Sequence, residues 1–174
     1  MAARATFALL AACGGRKTDA APPPPGVSVA LMASSASVDF DFDFDSIDDR
    51  PVSARATRGK PTVITFVTTS SLPSQAQVDF LVAMAKNDGD RVNYAVIAVE
   101  PADARELVEL YQRALGAPFP MAMADSATLA GGGAFGDVSG VPVTVVLDRA
   151  GRIAWRADGR VARSDELRGV PHRL

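Results

Sequence analysis

Ser71 and Ser74 stand three positions apart at the start of a predicted helix, just after an apolar run. A serine there has two possible uses. As a nucleophile, Ser71 needs a base within hydrogen-bond reach, held in place by a further group. The chain offers few bases. Its only histidine is His172, close to the C-terminus among polar residues, a place that reads as solvent-facing in a frayed segment. Lys86 and Glu100 are conceivable bases, yet nothing in the sequence positions them. The simpler use of Ser71 is helix capping, its oxygen accepting from the free N–H groups of the first turn, with Ser74 an ordinary first-turn residue. The only cysteine is Cys13, so the body of the chain holds no disulfide, no thiol catalyst and no thiolate metal site.

Two further groupings invite a chemical reading. Asp39, Asp41, Asp43 and Asp45 alternate with Val38, Phe40, Phe42 and Phe44. A calcium ladder is conceivable, but no EF-type loop spacing is present. The row reads instead as the wet face of an edge strand, whose charge discourages pairing between molecules. Gly131, Gly132 and Gly133 lack the Gly-Lys-Ser/Thr ending of a phosphate loop and read as a flexible loop. No metal and no cofactor is predicted. The formal net charge of -2 offers no basic field for nucleic acid or anionic lipid.

These residues must be positioned by elements that the pattern predicts. The alternation at 38–45 is a half-buried strand. Pro51 to Ala56 is a weaker strand. Thr62 to Val67 is a continuous β-branched and aromatic run, typical of a strand covered on both faces. A helix follows from about Pro73 to Lys86, with Val78, Leu81, Val82 and Ala85 on one face. Tyr94 to Val99 is a buried strand, and Asp103 to Leu115 a helix with Leu107, Leu110, Tyr111 and Ala114 inward and Gly116 as its stop. Phe119 to Ala122 is a short strand. Val143 to Asp148 and Arg152 to Arg156 form a hairpin around Ala150-Gly151, and a short helix at Ser164 to Arg168 closes the chain. The order predicts an α/β mixed sheet with helices on both faces and an N-terminal β-hairpin.

The N-terminal segment reads differently. Arg4, the apolar run Ala5 to Ala12, and then Cys13 suit a secretory signal peptide that is too short to span a bilayer. Leu10-Ala-Ala-Cys13 resembles the bacterial lipobox, which implies acyl chains on Cys13 and a membrane anchor. The four prolines before Gly26 suit an extended spacer. The expected domains are residues 1–12 as signal peptide, 13–36 as lipidated terminus and linker, and 37–174 as the folded domain. Gly14 after Cys13 resembles lipoproteins of the outer membrane.

Three stretches carry a family resemblance. Phe42-Asp-Phe-Asp-Ser-Ile-Asp-Asp-Arg-Pro-Val52, followed by Arg58-Gly-Lys-Pro61, is similar to the opening hairpin of TlpA-type thiol-disulfide oxidoreductases of the thioredoxin fold and their peroxiredoxin-like relatives. Phe66-Val-Thr-Thr-Ser-Ser-Leu-Pro-Ser74 occupies the place of that family's strand, turn and Cys-Pro-Pro-Cys motif. Gly136-Asp-Val-Ser-Gly-Val-Pro142, with Val145-Val-Leu-Asp-Arg-Ala-Gly-Arg-Ile153, resembles its Gly-Val/Ile-Pro segment and final hairpin. The resemblance implies a thioredoxin-like fold, a cis bond at Pro142, and a peptide groove formed by Ser71, Leu72, Pro73, Val141 and Pro142. It places Ser71 and Ser74 on the two cysteine positions. A hydroxyl forms no disulfide and is not ionised near neutral pH, so the resemblance carries the fold and the groove but not the reaction. Three functions follow in order of expectation: a periplasm-facing lipoprotein that binds a protein or peptide partner, a structural scaffold, and a thiol-disulfide enzyme.

Overall fold

Residues 41–174 are described by a computed structural model. The expected signal peptide, lipid attachment at Cys13 and spacer, together with Val38, Asp39 and Phe40 of the first predicted strand, lie outside the described residues.

The centre of the molecule follows from two runs that can only be buried. β3 (Thr62–Val67) is enclosed along its whole length, and β4 (Asn93–Ala98) is enclosed from Tyr94 onward. They pair in parallel, Thr62 opposite Asn93 through Val67 opposite Ala98. A parallel pair needs a crossover, and α2 (Leu72–Asp88) supplies it. Around them lie β1 (Asp43–Ser46), β2 (Val52–Ser53), β5 (Met121–Met123), β6 (Val143–Leu147) and β7 (Ile153–Ala157). The seven strands run in the order β2-β1-β5-β4-β3-β6-β7. The expected mixed sheet and N-terminal hairpin are both present.

Each face of the sheet has its own core. Ile64 and Phe66 point to a face closed by Phe42, Phe44, Phe135 and Val138. Phe66 and Phe135 have ring centroids 5.0 Å apart, as do Phe42 and Phe135. Val63 and Val67 point to the other face, where Val78, Leu81 and Val82 of α2 pack with Leu167 of α5 (Ser164–Arg168). The buried stripe predicted for α2 is the observed one, save that Ala85 is only half-buried.

Several expectations need correction. β1 is not an edge strand. It lies between β2 and β5, antiparallel to both, because Phe42 and Phe44 must reach the Phe66 face. Asp41, Asp43 and Asp45 are exposed, and Asp45 pairs with Arg105 at 2.6 Å. The second predicted strand shrinks to Val52–Ser53, because Ser53 caps α1 (Ala54–Thr57) by accepting from the Ala56 amide at 3.3 Å. α3 (Arg105–Leu115) is rotated from its predicted face: Leu107, Leu110 and Ala114 are exposed, and Val108, Tyr111 and Leu115 turn inward. Polar anchors set that rotation. The Arg105 guanidinium donates to the Ser46 carbonyl at 2.7 Å, and the Gln112 amide donates to Asp48 at 2.8 Å. β5 begins two residues later than Phe119. Gly131 to Gly133 form a tight turn against α4 (Ser126–Leu129), with the Gly132 amide donating to the Ala127 carbonyl at 2.9 Å. At Gly133 φ is +83°, and a Cβ would sit 2.9 Å from Thr128 Oγ1, so glycine is required.

The hairpin between β6 and β7 turns on Asp148. Its Oδ1 accepts from the Ala150 and Arg152 amides at 2.9 Å each, and Oδ2 accepts from the Arg152 guanidinium at 2.8 Å. Burial pushes this carboxyl up, but the hydrogen bonds from Arg152 and Ala150 outweigh it and hold it below the usual range. A depressed folded value contributes stability above the unfolded value, near 4, that is lost as pH falls through the folded one. Asp148→Asn is therefore expected to cost roughly 1 kcal/mol in urea unfolding at pH 7, with the gap closing at strongly acid pH. An undiminished gap at low pH would contradict the assignment.

Candidate functional site

The turn after β3 and the loop before β6 meet at one end of the sheet because of register. Phe66 lies opposite Val143 in the antiparallel β3–β6 pair. The residues that follow Val67 therefore leave the sheet beside those that precede Val143. On one side this delivers Thr68 to Ser74, on the other Val141 and Pro142.

Ser71 is the N-cap of α2, with φ −94° and ψ 117°, and its Oγ accepts from the Ser74 amide at 3.2 Å. Its carbonyl accepts from the Gln75 amide at 3.0 Å. Pro73 falls in the first turn, where a missing N–H costs nothing. Ser74 is fully buried, and its Oγ accepts from the Thr68 amide at 3.4 Å. Each serine thus closes the turn on itself. Ser71→Ala is expected to lower unfolding free energy by about 1 kcal/mol, and Ser71→Gly by only a few tenths. Equal stability of Ser71→Ala and the parent would refute the cap.

The bases weighed from the sequence do not assemble around Ser71. Glu100, just past β4, accepts from the Thr69 amide at 2.7 Å and the Thr69 hydroxyl at 2.8 Å. It braces the turn. Lys86 is exposed in the last turn of α2, about 22 Å from Ser71 along the helix at 1.5 Å per residue. His172 is not frayed: its Nε2 lies 3.0 Å from Oδ1 of the buried Asp88, whose other oxygen accepts from the Tyr94 hydroxyl. Asp88 ends the same helix, so His172 sits at the opposite end of α2 from Ser71. Burial first, and then the Asp88 hydrogen bond and charge, push the Tyr94 hydroxyl far up, so it remains a donor.

The facing loop is held as firmly. The Val141–Pro142 peptide is cis, as the resemblance implies. Pro142 is buried, and Val141 packs against the Phe66 face. The Arg156 guanidinium on β7 donates to the Phe135 carbonyl, to the Asp137 carbonyl at 2.6 Å and to Asp158 at 2.8 Å. Gly140 and Gly159 touch, and a Cβ on Gly159 would lie 3.4 Å from the Gly140 carbonyl oxygen. From α2, the fully buried Gln77 accepts the Ala162 amide at 2.6 Å. Beneath them, the Thr65 and Thr144 hydroxyls pair at 3.1 Å between β3 and β6.

Of the predicted groove residues, Ser71 and Val141 are half-buried and Pro142 is buried. Pro73 is exposed, and Leu72 is 79% exposed. All lie at the same end of the sheet, while Cys13 lies outside the described residues. Sequence reasoning missed Gln77 and Arg156. Gln77 left a trace, as a polar residue that shares the stripe of Val78, Leu81 and Val82. Among the described residues no cluster of three or more metal-ligating side chains occurs.

No protein-family model and no curated protein sequence matches the chain. Solved structures do. A DsbF homologue from Corynebacterium diphtheriae aligns with a TM-score of 0.66 at 20% identity, covering 77% of this chain and 84% of that one. A secreted Mycobacterium tuberculosis disulfide oxidoreductase homologous to DsbE of E. coli gives 0.65 at 18% identity, covering 80% of this chain and 100% of that one. A thiol:disulfide interchange protein of the thioredoxin family from Chlorobium tepidum gives 0.61 at 22% identity, covering 72% and 87%. At such identities the likeness establishes the fold, and the domain spanning residues 41–174 is thioredoxin-like.

Proposed function

We propose that this chain is an envelope-anchored, thioredoxin-like module that binds an extended protein or peptide segment at the Ser71 turn and performs no thiol chemistry. One observation carries the reading. The turn is braced by Glu100 and the segment leading to Val141-Pro142 by Arg156, yet Ser71 and Ser74 bear hydroxyls where the resemblance places cysteines. Peptide addition along a loop or strand needs backbone groups and apolar contacts, not sulfur. Leu72, almost fully exposed beside the loop, offers such a contact. The lipobox-like Leu10-Ala-Ala-Cys13 supports an anchor at Cys13 facing the periplasm, and the secreted Mycobacterium neighbour is consistent with an envelope setting.

A second reading is favoured by the neighbours themselves, described as a disulfide oxidoreductase and a thiol:disulfide interchange protein. That reaction needs an attacking thiolate and a second thiol to resolve the mixed disulfide. The chain contains one cysteine, Cys13. Insulin reduction by the full chain with dithiothreitol separates the two. The proposal predicts a rate equal to dithiothreitol alone. Turnover above that rate, retained in Cys13→Ser, would sink it.

A further inference from the structure

The exposed Leu72 and the half-buried Val141 give the groove its apolar contacts, and the chain topology surrounds them with carboxylates. The Val99 amide donates to the Val67 carbonyl at 2.8 Å, and the Ala124 amide to the Ala98 carbonyl at 2.9 Å. The loops after β4 and β5 therefore emerge beside the Ser71 turn, and they bring Glu100, Asp103 and Asp125. β1 is antiparallel to β5, so its start brings Asp43 to the same end, with Asp41 before it. Asp137 arrives with the segment that leads to Val141-Pro142. We infer that the segment bound in the groove is cationic, an extended stretch with apolar side chains toward Leu72 and Val141 and lysine or arginine toward the rim. The inference rests on the groove reading above and names the chemistry of its partner.

The cations at this end do not cancel the carboxylates. Arg105, Arg156, Arg160 and Arg163 lie there, and each already pairs with another acid: Asp45 at 2.6 Å, Asp158 at 2.7 Å, Glu166 at 2.7 Å and Asp165 at 3.2 Å. Arg55, at the start of α1, makes no such pair. Lys60 and Lys86 stand at the opposite end, one just before β3 and the other in the last turn of α2. Among the described residues, Arg55 is thus the one cation left at this end for Glu100, Asp103, Asp125, Asp137, Asp41 and Asp43. Glu100 is the nearest of these to the turn. It is half-buried, and Oε1 accepts both bonds from Thr69, which are neutral donors that hold the carboxylate without offsetting its charge. The whole chain has a formal net charge of only -2, so the excess is local to the groove end. Such a field attracts a basic partner, speeds its encounter and disfavours an acidic one. An extended segment alternates its side chains between two faces, so it can meet the apolar floor and the acidic rim together.

The test uses the full chain and two fluorescein-labelled probes: a short peptide alternating valine with lysine, and the same peptide with glutamate in place of lysine. Binding is read by fluorescence anisotropy at low and at physiological ionic strength. The lysine peptide is expected to bind about tenfold tighter than the glutamate peptide and to weaken as salt rises. Glu100→Gln keeps an oxygen for the Thr69 bonds, and Asp103→Asn changes an exposed side chain, so both remove charge while keeping shape. Each should weaken the lysine peptide about threefold. Asp49→Asn, exposed in the loop after β1 at the opposite end, is the control and should leave binding unchanged. Equal thermal midpoints confirm folding. Equal binding of the two peptides, no binding of either, lysine-peptide binding unchanged in both variants, or the same loss in Asp49→Asn would overturn the inference. The groove reading fails on a different result, the lack of any adduct from a photocrosslinker at position 72 in the native host, whatever the charge of the partner.

Discussion

Replacing Ser71 and Ser74 together by cysteine, in a Cys13→Ser background, is expected to create a redox-active disulfide and measurable insulin reduction where the parent has none. The geometry supplies what that reaction lacks. Residues three apart on one helical turn have Cβ atoms roughly 5–6 Å apart, within adjustment range of a disulfide. The first thiol would stand at the half-buried N-cap, where the free N–H groups and the helix dipole lower a thiol pKa. The second would be buried beneath it, as Ser74 is. Thiol titration should count none in the oxidised variant and two after reduction. Its reduction potential should fall within the roughly −270 to −120 mV spanned by dithiol proteins with this arrangement. Either single replacement should form no internal disulfide and give no cycle. A folded double variant that never forms the bond would show that Ser71 and Ser74 do not occupy the two cysteine positions.

Phe66→Ala is expected to be the most destabilising single change, at about 3–5 kcal/mol. Phe66 is fully buried on a central strand and contacts the rings of Phe44 and Phe135. The cavity would open between strands that cannot collapse, because β3 is pinned on both sides by β4 and β6. That cost is a large share of the roughly 5–15 kcal/mol typical of a domain. Phe80, 42% exposed on the outer side of α2, is the control, and Phe80→Ala should cost under about 1 kcal/mol. Urea unfolding of the two variants measures both. A Phe66→Ala cost no larger than that of Phe80→Ala would mean the aromatic face is not the core it resembles.

What the sequence made legible follows from where one interaction dominated. The runs at 62–67 and 94–99 are so apolar that only burial on both sides accommodates them, and the strands appeared within a residue of expectation. Asp148-Arg-Ala-Gly151 dictates a tight turn, and the hairpin follows. The rotation of α3 was not legible, because Leu107, Leu110 and Ala114 have the same spacing as Val108, Tyr111 and Leu115. The choice between those faces is made by Arg105 and Gln112, whose partners Asp45, Ser46 and Asp48 are roughly sixty residues distant in sequence. His172 was misjudged for the same reason, since its partner Asp88 is 84 residues away. The Ser71 turn was legible as a cap because capping is local. The contacts of Glu100, Gln77 and Arg156 were not, because each reaches a backbone group 31, 85 and 19 residues away in sequence that no local pattern marks.

The central claim is that the Ser71 turn binds protein without sulfur chemistry. It is tested most directly by a photocrosslinking amino acid at position 72 in the full chain in its native host. Leu72 is 79% exposed, so the change leaves the Ser71 cap and the core intact. Leu110, 51% exposed on α3, is the matched control. The account predicts a discrete adduct from position 72, absent from position 110 and abolished by Val141→Glu with the domain still folded. A blank at position 72, or the same adducts from both positions, would contradict it.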